Sequence, residues 1–330
     1  MWKKMNYCLF KFCFKTALHI GNDRGAPSLP SSEKQIHSDT LFSSLCLEAL
    51  QAGGQQMLDR LYGDVSAGRL IFSDALPFCL DELFIPKPFI SFDSKKTAQE
   101  HKDSKMLKKL AYISVTELNA YLACLKGESA AFLESQPEVR TFGVANLRTM
   151  VAIKGNEQPQ PFNVGTFEFL EDCGLYIIAA FEGEDQFKLM KKLLTLLSHS
   201  GIGGKRTAGL GSFGLEEINL QVPSTPAQKR LAELLVNDKA DYHMTLNVSL
   251  PKDEELDDAI KEGWFGLVRR GGFVQSRTYA PAAVKKRVIY LLSAGSCLKK
   301  RFEGDILDVS VNGTHPVYRL AKPLFMGVAV

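Results

Sequence analysis

Lys205 and Arg206 stand in the middle of a stretch, 201–214, in which six of fourteen residues are glycine. Lysine offers a compact charge and arginine a forked set of donors, the two chemistries that hold phosphate. Glycine reaches positive φ without a Cβ penalty, but it costs conformational entropy on folding. A run containing Gly201, Gly203, Gly204, Gly209 and Gly211 therefore implies a backbone held in shapes other residues resist. Successive N–H groups in such a loop can converge on one anion. The competing reading is a mobile hairpin loop whose glycines only make turns.

Known nucleotide loops do not fit. A Walker loop needs glycine where His199 stands. Residues 209–214 match G-x-G-x-x-G, but a dinucleotide site needs a strand before that motif and a helix after it. Here Phe187, Met190, Leu193, Leu194 and Leu197 mark a helix before the loop, and Leu215, Ile218 and Leu220 a strand after it. Residues 151–154 read V-A-I-K, yet no H-R-D or D-F-G follows, so a kinase is excluded.

Other candidates lie along the chain. His37 and Ser38 precede an apolar helical stripe of Leu41, Phe42, Leu45, Cys46 and Ala49, with Ser38 as N-cap and Gly53-Gly54 as the stop. His37 is a candidate general base or RNA contact; the plainer alternative is a packed loop histidine. Residues 139–170 hold two apolar runs around a Gly/Asn/Pro break, which reads as a long β-hairpin. Arg140, Phe142 and Arg148 would place cations and a ring on that projection, a combination that suits splayed bases. Arg269, Arg270, Arg277 and residues 285–287 form further cationic clusters, each near an aromatic ring.

These residues need elements to position them. Cys8, Phe10, Phe12 and Phe14 alternate, so the chain opens with a strand that has one strongly apolar face. Strands are also expected near 69–72 and 175–181, and 84–89 reads as extended because of its prolines. Residues 6–222 then follow β-α-β-(hairpin)-β-α-loop-β, the order of a ferredoxin-like or RRM-like unit. The fold class expected is α+β, with two ferredoxin-like domains, 1–222 and 223–330, the hairpin inserted at 139–170. Residues 93–109, with six lysines, read as a solvated insertion, with an RNA-touching arm as the alternative.

Bulk properties add limits. The net charge of +3 argues neither for nor against nucleic acid, so local clusters must carry that case. Seven cysteines, none in C-x-x-C, fit reduced thiols and give no zinc site. Lys11 and Lys15 interrupt the N-terminal apolar run too early for a signal core or a membrane span. A soluble cytoplasmic protein without cofactor or metal is expected.

Three stretches carry a family resemblance: His-Ser-Asp-Thr-Leu-Phe at 37–42, the glycine-rich 201–211, and 315–327 with His315, Tyr318, Arg319 and Lys322. Together with the RRM-like order, they resemble the RAMP superfamily of CRISPR–Cas proteins, and within it the Csm subunit four family of type III-A effector complexes. The resemblance implies a non-catalytic scaffold. It would grip the 5′ repeat-derived handle of CRISPR RNA and dock the large polymerase-cyclase subunit and an adjacent backbone RAMP subunit. The 201–211 loop would hold handle phosphates, and the 139–170 hairpin would be a thumb that kinks the guide. The rival is a metal-independent RAMP endoribonuclease that uses His37 or His19 as base and Lys205 to stabilise the phosphorane.

Overall fold

The computed structural model describes residues 5–21, 29–92, 107–135, 141–152, 158–276 and 278–330. Strand β1 (Asn6–Phe14) runs through the middle of the main sheet. Its Phe10 and Phe12 are fully buried, as the alternation implies, but Leu9 and Lys11 on the other face are buried too. The Lys11 ammonium donates to the Leu80 carbonyl at 3.3 Å and lies 4.6 Å from the Phe78 ring centre. That pairing lets a lysine occupy a covered face, so the middle of β1 is buried on both sides.

The other strands of this half are β2 (Leu70–Phe72), β3 (Leu76–Cys79), β4 (Glu82–Pro86), β5 (Tyr112–Ser114), β6 (Gly143–Ala152), β7 (Gln160–Phe169), β8 (Cys173–Phe181) and β9 (Phe213–Asn219). β1 lies between β9 and β8, and β8 carries both β2 and β3 along its length before the sheet continues to β4 and β5. Every pairing is antiparallel. Helices α1 (Ser38–Ser66) and Glu184–Ser200 cover the Phe10 face with one core. A second core, containing Leu9, Tyr176 and Ile178, lies on the opposite face with helices Leu118–Lys126 and Pro226–Leu235. The β6–β7 ribbon stands apart from the sheet, and residues 144–149 of β6 are exposed on both faces.

Two local expectations are corrected. Gly53 and Gly54 leave helical geometry, Gly54 at φ +63°, but α1 resumes and runs to Ser66. Leu58, Leu61 and Val65 on the second segment bury against the same core, so the glycine pair is a kink and not a stop. Ser38 is the first helical residue, not the cap; His37 takes the cap position. The Ser38 N–H is satisfied from a distance, by Asp74 Oδ1 at 2.7 Å.

The remaining chain forms a sheet ordered β11 (Gly263–Trp264), β14 (Cys297–Leu298), β10 (Tyr242–Thr245) and β17 (Phe325–Val328), and two ribbons. The ribbons pair β12 (Leu267–Arg270) with β13 (Ile289–Leu292), and β15 (Ile306–Asp308) with β16 (Tyr318–Leu320). Ile306 and Leu320 enter the core of α1, and Tyr318 packs on Tyr62 at 4.6 Å between ring centres. The C-terminal part is thus fastened to the first helix.

Cys79 and Cys173 are directly opposed in the β3–β8 register and form a disulfide, with Cα atoms 4.1 Å apart. The expectation of reduced thiols fails for this pair, because a register contact that spacing could not reveal brings them together. Cys8, Cys13, Cys46, Cys124 and Cys297 are not in a disulfide. Among the described residues no helix is long and apolar enough to cross a membrane.

Candidate functional site

A groove of about 730 Å³ forms where three segments distant in sequence meet. His37 and the first turns of α1 supply one wall, Gly203, Gly204 and Arg206 the second, and Arg269 and Arg270 on β12 the third. A smaller pocket of about 530 Å³ takes the rest of the loop, with Gly209 facing Lys15, Arg148 and Glu168.

The glycine loop is held tightly by its own chain. Gly201 N–H donates to Leu197 O at 2.8 Å, Ile202 N–H to Gly211 O at 2.9 Å, Gly204 N–H to His19 O at 2.8 Å and Gly211 N–H to Ala17 O at 2.9 Å. Those groups are spent internally, so the anion nest expected of the whole loop is not what most of these donors serve. Close approach explains the glycines instead. A Cβ on Gly211 would lie 2.0 Å from the Ile202 carbonyl oxygen, and one on Gly203 2.4 Å from the His19 oxygen. Gly201 and Gly211 are buried, whereas Gly203 and Gly204 present backbone to the groove.

The two cations of the loop diverge. Lys205 adopts φ +59° and extends to the hairpin, its ammonium 4.7 Å from the centre of the Phe162 ring on β7. Arg206 turns back and pairs with the buried Glu48 at 3.4 Å while still lining the groove. Glu48 in turn accepts from Ser200 Oγ at 2.5 Å.

Buried carboxylates organise the opposite wall. Asp39 accepts from Arg270 at 3.0 and 2.9 Å, and from Arg319 as well. Burial works against its charge, but the two guanidiniums outweigh that cost and hold the carboxyl well below its usual range. Asp74 receives His37 Nδ1 at 2.6 Å, Ser38 N–H at 2.7 Å and Val248 N–H at 3.1 Å. One carboxylate therefore fixes the start of α1, the histidine and the chain that follows β10 in the second half.

These contacts sort the candidate residues. His37, Gly203, Gly204, Arg206, Arg269 and Arg270 converge on one groove, and Arg148 and Gly209 on the neighbouring pocket. Arg148 pairs with Glu168 across the ribbon at 2.5 Å. Ser38 does not reach either site: it is fully buried, and its hydroxyl accepts from Asn247 at 3.3 Å. Phe142 is not a displayed ring; it is buried, 4.9 Å from Phe84 and 6.4 Å from Tyr112 by ring centres. Arg140, Arg277 and most of the lysine-rich segment, 93–106, lie outside the described residues.

His19, the alternative base, joins His37 along the groove, although His19 is buried and its Nδ1 lies 2.6 Å from the Gly165 carbonyl oxygen. Asp39, Asp74 and Glu48 are the anchors of the site, and no periodicity marks them, since the partners described above are 36 to 280 residues away.

Comparison with known proteins accords with this frame. Residues 11–214 match the RAMP superfamily and residues 238–328 the CRISPR Csm4 C-terminal domain. The CRISPR system Cms protein Csm4 of Mycobacterium tuberculosis (strain H37Rv) is 37% identical over 325 residues, covering 98% of each chain. The protein of that name from Streptococcus thermophilus is 29% identical over 333 residues, covering 99% of this chain and all (100%) of its own. A chain of the Csm3–Csm4 subcomplex of the type III-A interference complex superposes with a TM-score of 0.64 at 18% identity, covering 99% of this chain and 100% of its own. A chain of the Csm1–Csm4 cassette bound to cA4 gives 0.58 at 16% identity, covering 98% of each.

Proposed function

The chain belongs to the Csm4 family of the RAMP superfamily, and from that premise we propose that it is a non-catalytic RNA-binding scaffold of a cytoplasmic type III-A effector complex. The groove would take the sugar-phosphate backbone of the 5′ handle of CRISPR RNA. Gly203 and Gly204 would present main chain to that strand, and Arg206 and Arg269 would supply charge. Arg270 would act chiefly by fixing the wall, since Asp39 already holds it. Lys205 would contact RNA between the loop and the hairpin, and the β6–β7 ribbon would serve as the thumb.

The carrying observation is convergence: three segments chosen for their chemistry, near 37, 204 and 269, line a single groove. We read the β9-β1-β8-β2 order as ferredoxin-like, and place the boundary between two such domains after residue 222. The large polymerase-cyclase subunit and a backbone RAMP subunit are the proposed partners. The solved Csm1–Csm4 and Csm3–Csm4 assemblies of similar fold support that choice. Co-expression with its neighbouring subunits, followed by sequencing of the bound RNA, tests the proposal. Recovery of repeat-derived 5′ ends is expected; RNA-free assemblies would refute it.

One observation keeps a second reading open. His19 and His37 line the same groove, and each has its Nδ1 fixed by an oxygen. That arrangement would leave two Nε2 atoms for acid–base work on RNA. Incubating the purified protein with repeat RNA in EDTA separates the readings. A discrete product lost in His37→Ala indicates the endoribonuclease, and intact RNA the scaffold.

A further inference from the structure

The β12–β13 ribbon carries a surface that the groove alone does not explain. In its register Leu267 faces Leu292, and Arg269 faces Tyr290. Alternate residues and their cross-strand partners share one side of a ribbon, so Leu267, Arg269, Tyr290 and Leu292 lie on the same face, and Val288 directly precedes β13. Val268, Ile289 and Leu291, on the reverse, pack into a small core. Leu292 is buried at one end of this face, but the rest is open: Leu267 is 63% exposed and Tyr290 57%, with Val288 beside them at 43%. Leu267 and Arg269 also line the groove, which makes the face continuous with it. Phe273 lies at the same margin, 49% exposed, with the Lys285 ammonium 5.7 Å from its ring centre.

Resting on the RNA reading above, we propose that this face is a stacking platform for a nucleobase of single-stranded RNA whose phosphates occupy the adjoining groove. Tyr290 receives the base on its ring, Arg269 flanks it, and Leu267 and Val288 cover its edges. Unpaired bases are held in this way, on an aromatic face beside a guanidinium, with little dependence on sequence. Composition favours a nucleic acid over a protein partner here. Lys285, Lys286 and Arg287 immediately precede Val288, whereas lysine is depleted in protein–protein interfaces. Tyr290 is set into a paired strand whose reverse side is packed, so the platform is rigid before any ligand arrives.

The test uses the full-length protein and two fluorescent probes of equal length, a single-stranded oligoribonucleotide and its abasic ribose-phosphate counterpart. The wild type is expected to bind the RNA roughly ten-fold more tightly than the abasic strand, the usual scale for one stacked base. Tyr290→Ala should erase that preference without changing the salt dependence, and Tyr290→Phe should keep it. Equal affinity of the wild type for both strands would overturn the platform while leaving the phosphate grip intact. Absence of binding to either strand would overturn both. Tyr290→Ala that spares RNA affinity but weakens the hold on a co-purifying subunit would mark a protein-docking face and also overturn the proposal.

Discussion

Arg270 grips Asp39 at two points, Nε to Oδ2 at 3.0 Å and Nη2 to Oδ1 at 2.9 Å, although 231 residues separate them. Arg319 holds the same carboxylate from β16 and donates to the Gly271 carbonyl at 2.7 Å. The first turn of α1 and two ribbons of the second half are therefore locked by one buried acid. Removing a single partner of such a cluster strands charge in a low-dielectric interior, which costs about 3–5 kcal/mol. Asp39→Ala should lose stability on that scale in urea unfolding, whereas Asp39→Asn, which keeps hydrogen-bond acceptance, should lose less.

The same residue sets an acid limit. Its folded-state carboxyl lies below the ordinary value of 3.8, so its contribution to stability is complete above that pH. It is lost as pH falls further, through the folded-state value. In Asp39→Asn the unfolding free energy should decline less steeply below pH 4 than in the wild type. Denaturant midpoints measured across that range check the sign.

His243 on β10 gives a second pH window. Burial, followed by the nearby Arg301 charge, pushes its imidazole down from 6.5 to about 4. Its Nδ1 is buried without a hydrogen-bond partner. The fold favours the neutral ring, so stability should be full above pH 6.5 and decline as pH falls towards 4. His243→Gln should flatten that decline in thermal melts between pH 7 and pH 4.5.

The glycine loop predicts a contrast between neighbours. Gly209 has φ +81° with open space where a Cβ would go, so Gly209→Ala should cost only the left-handed backbone penalty of about 1–2 kcal/mol. Gly211, at φ +77°, faces the Ile202 carbonyl in the Cβ position and should cost clearly more. Equal losses in thermal unfolding would contradict the close-approach explanation.

Phe142 separates packing from recognition. Its ring is buried against Phe84 and Tyr112, so Phe142→Ala should destabilise by about 3–5 kcal/mol. Under conditions where the variant remains folded, RNA affinity should match the wild type. A selective loss of RNA binding with unchanged stability would restore the displayed-ring reading.

What the sequence made legible was periodic. The alternation of β1, the stripes of α1 and the Glu184–Ser200 helix, and the glycine cluster all repeat within a few residues, where local geometry imposes its period. Strand β5, three residues long, was too short to mark itself. The continuation of α1 was hidden because Gly-Gly reads locally as a stop, while burial of Leu58 and Leu61 is a tertiary fact. The cations were visible, yet the acids that hold them were not. Arg206 with Glu48 and Arg270 with Asp39 are pairings across the fold, without a spacing to search for.

The central claim is that this groove holds an RNA backbone, and the salt dependence of binding tests it most directly. The affinity of the full-length protein for single-stranded RNA should fall linearly on a log–log plot against salt. Arg269→Ala should make that slope shallower by about one unit. An affinity indifferent to salt, or a slope that Arg269→Ala leaves unchanged, would contradict the account.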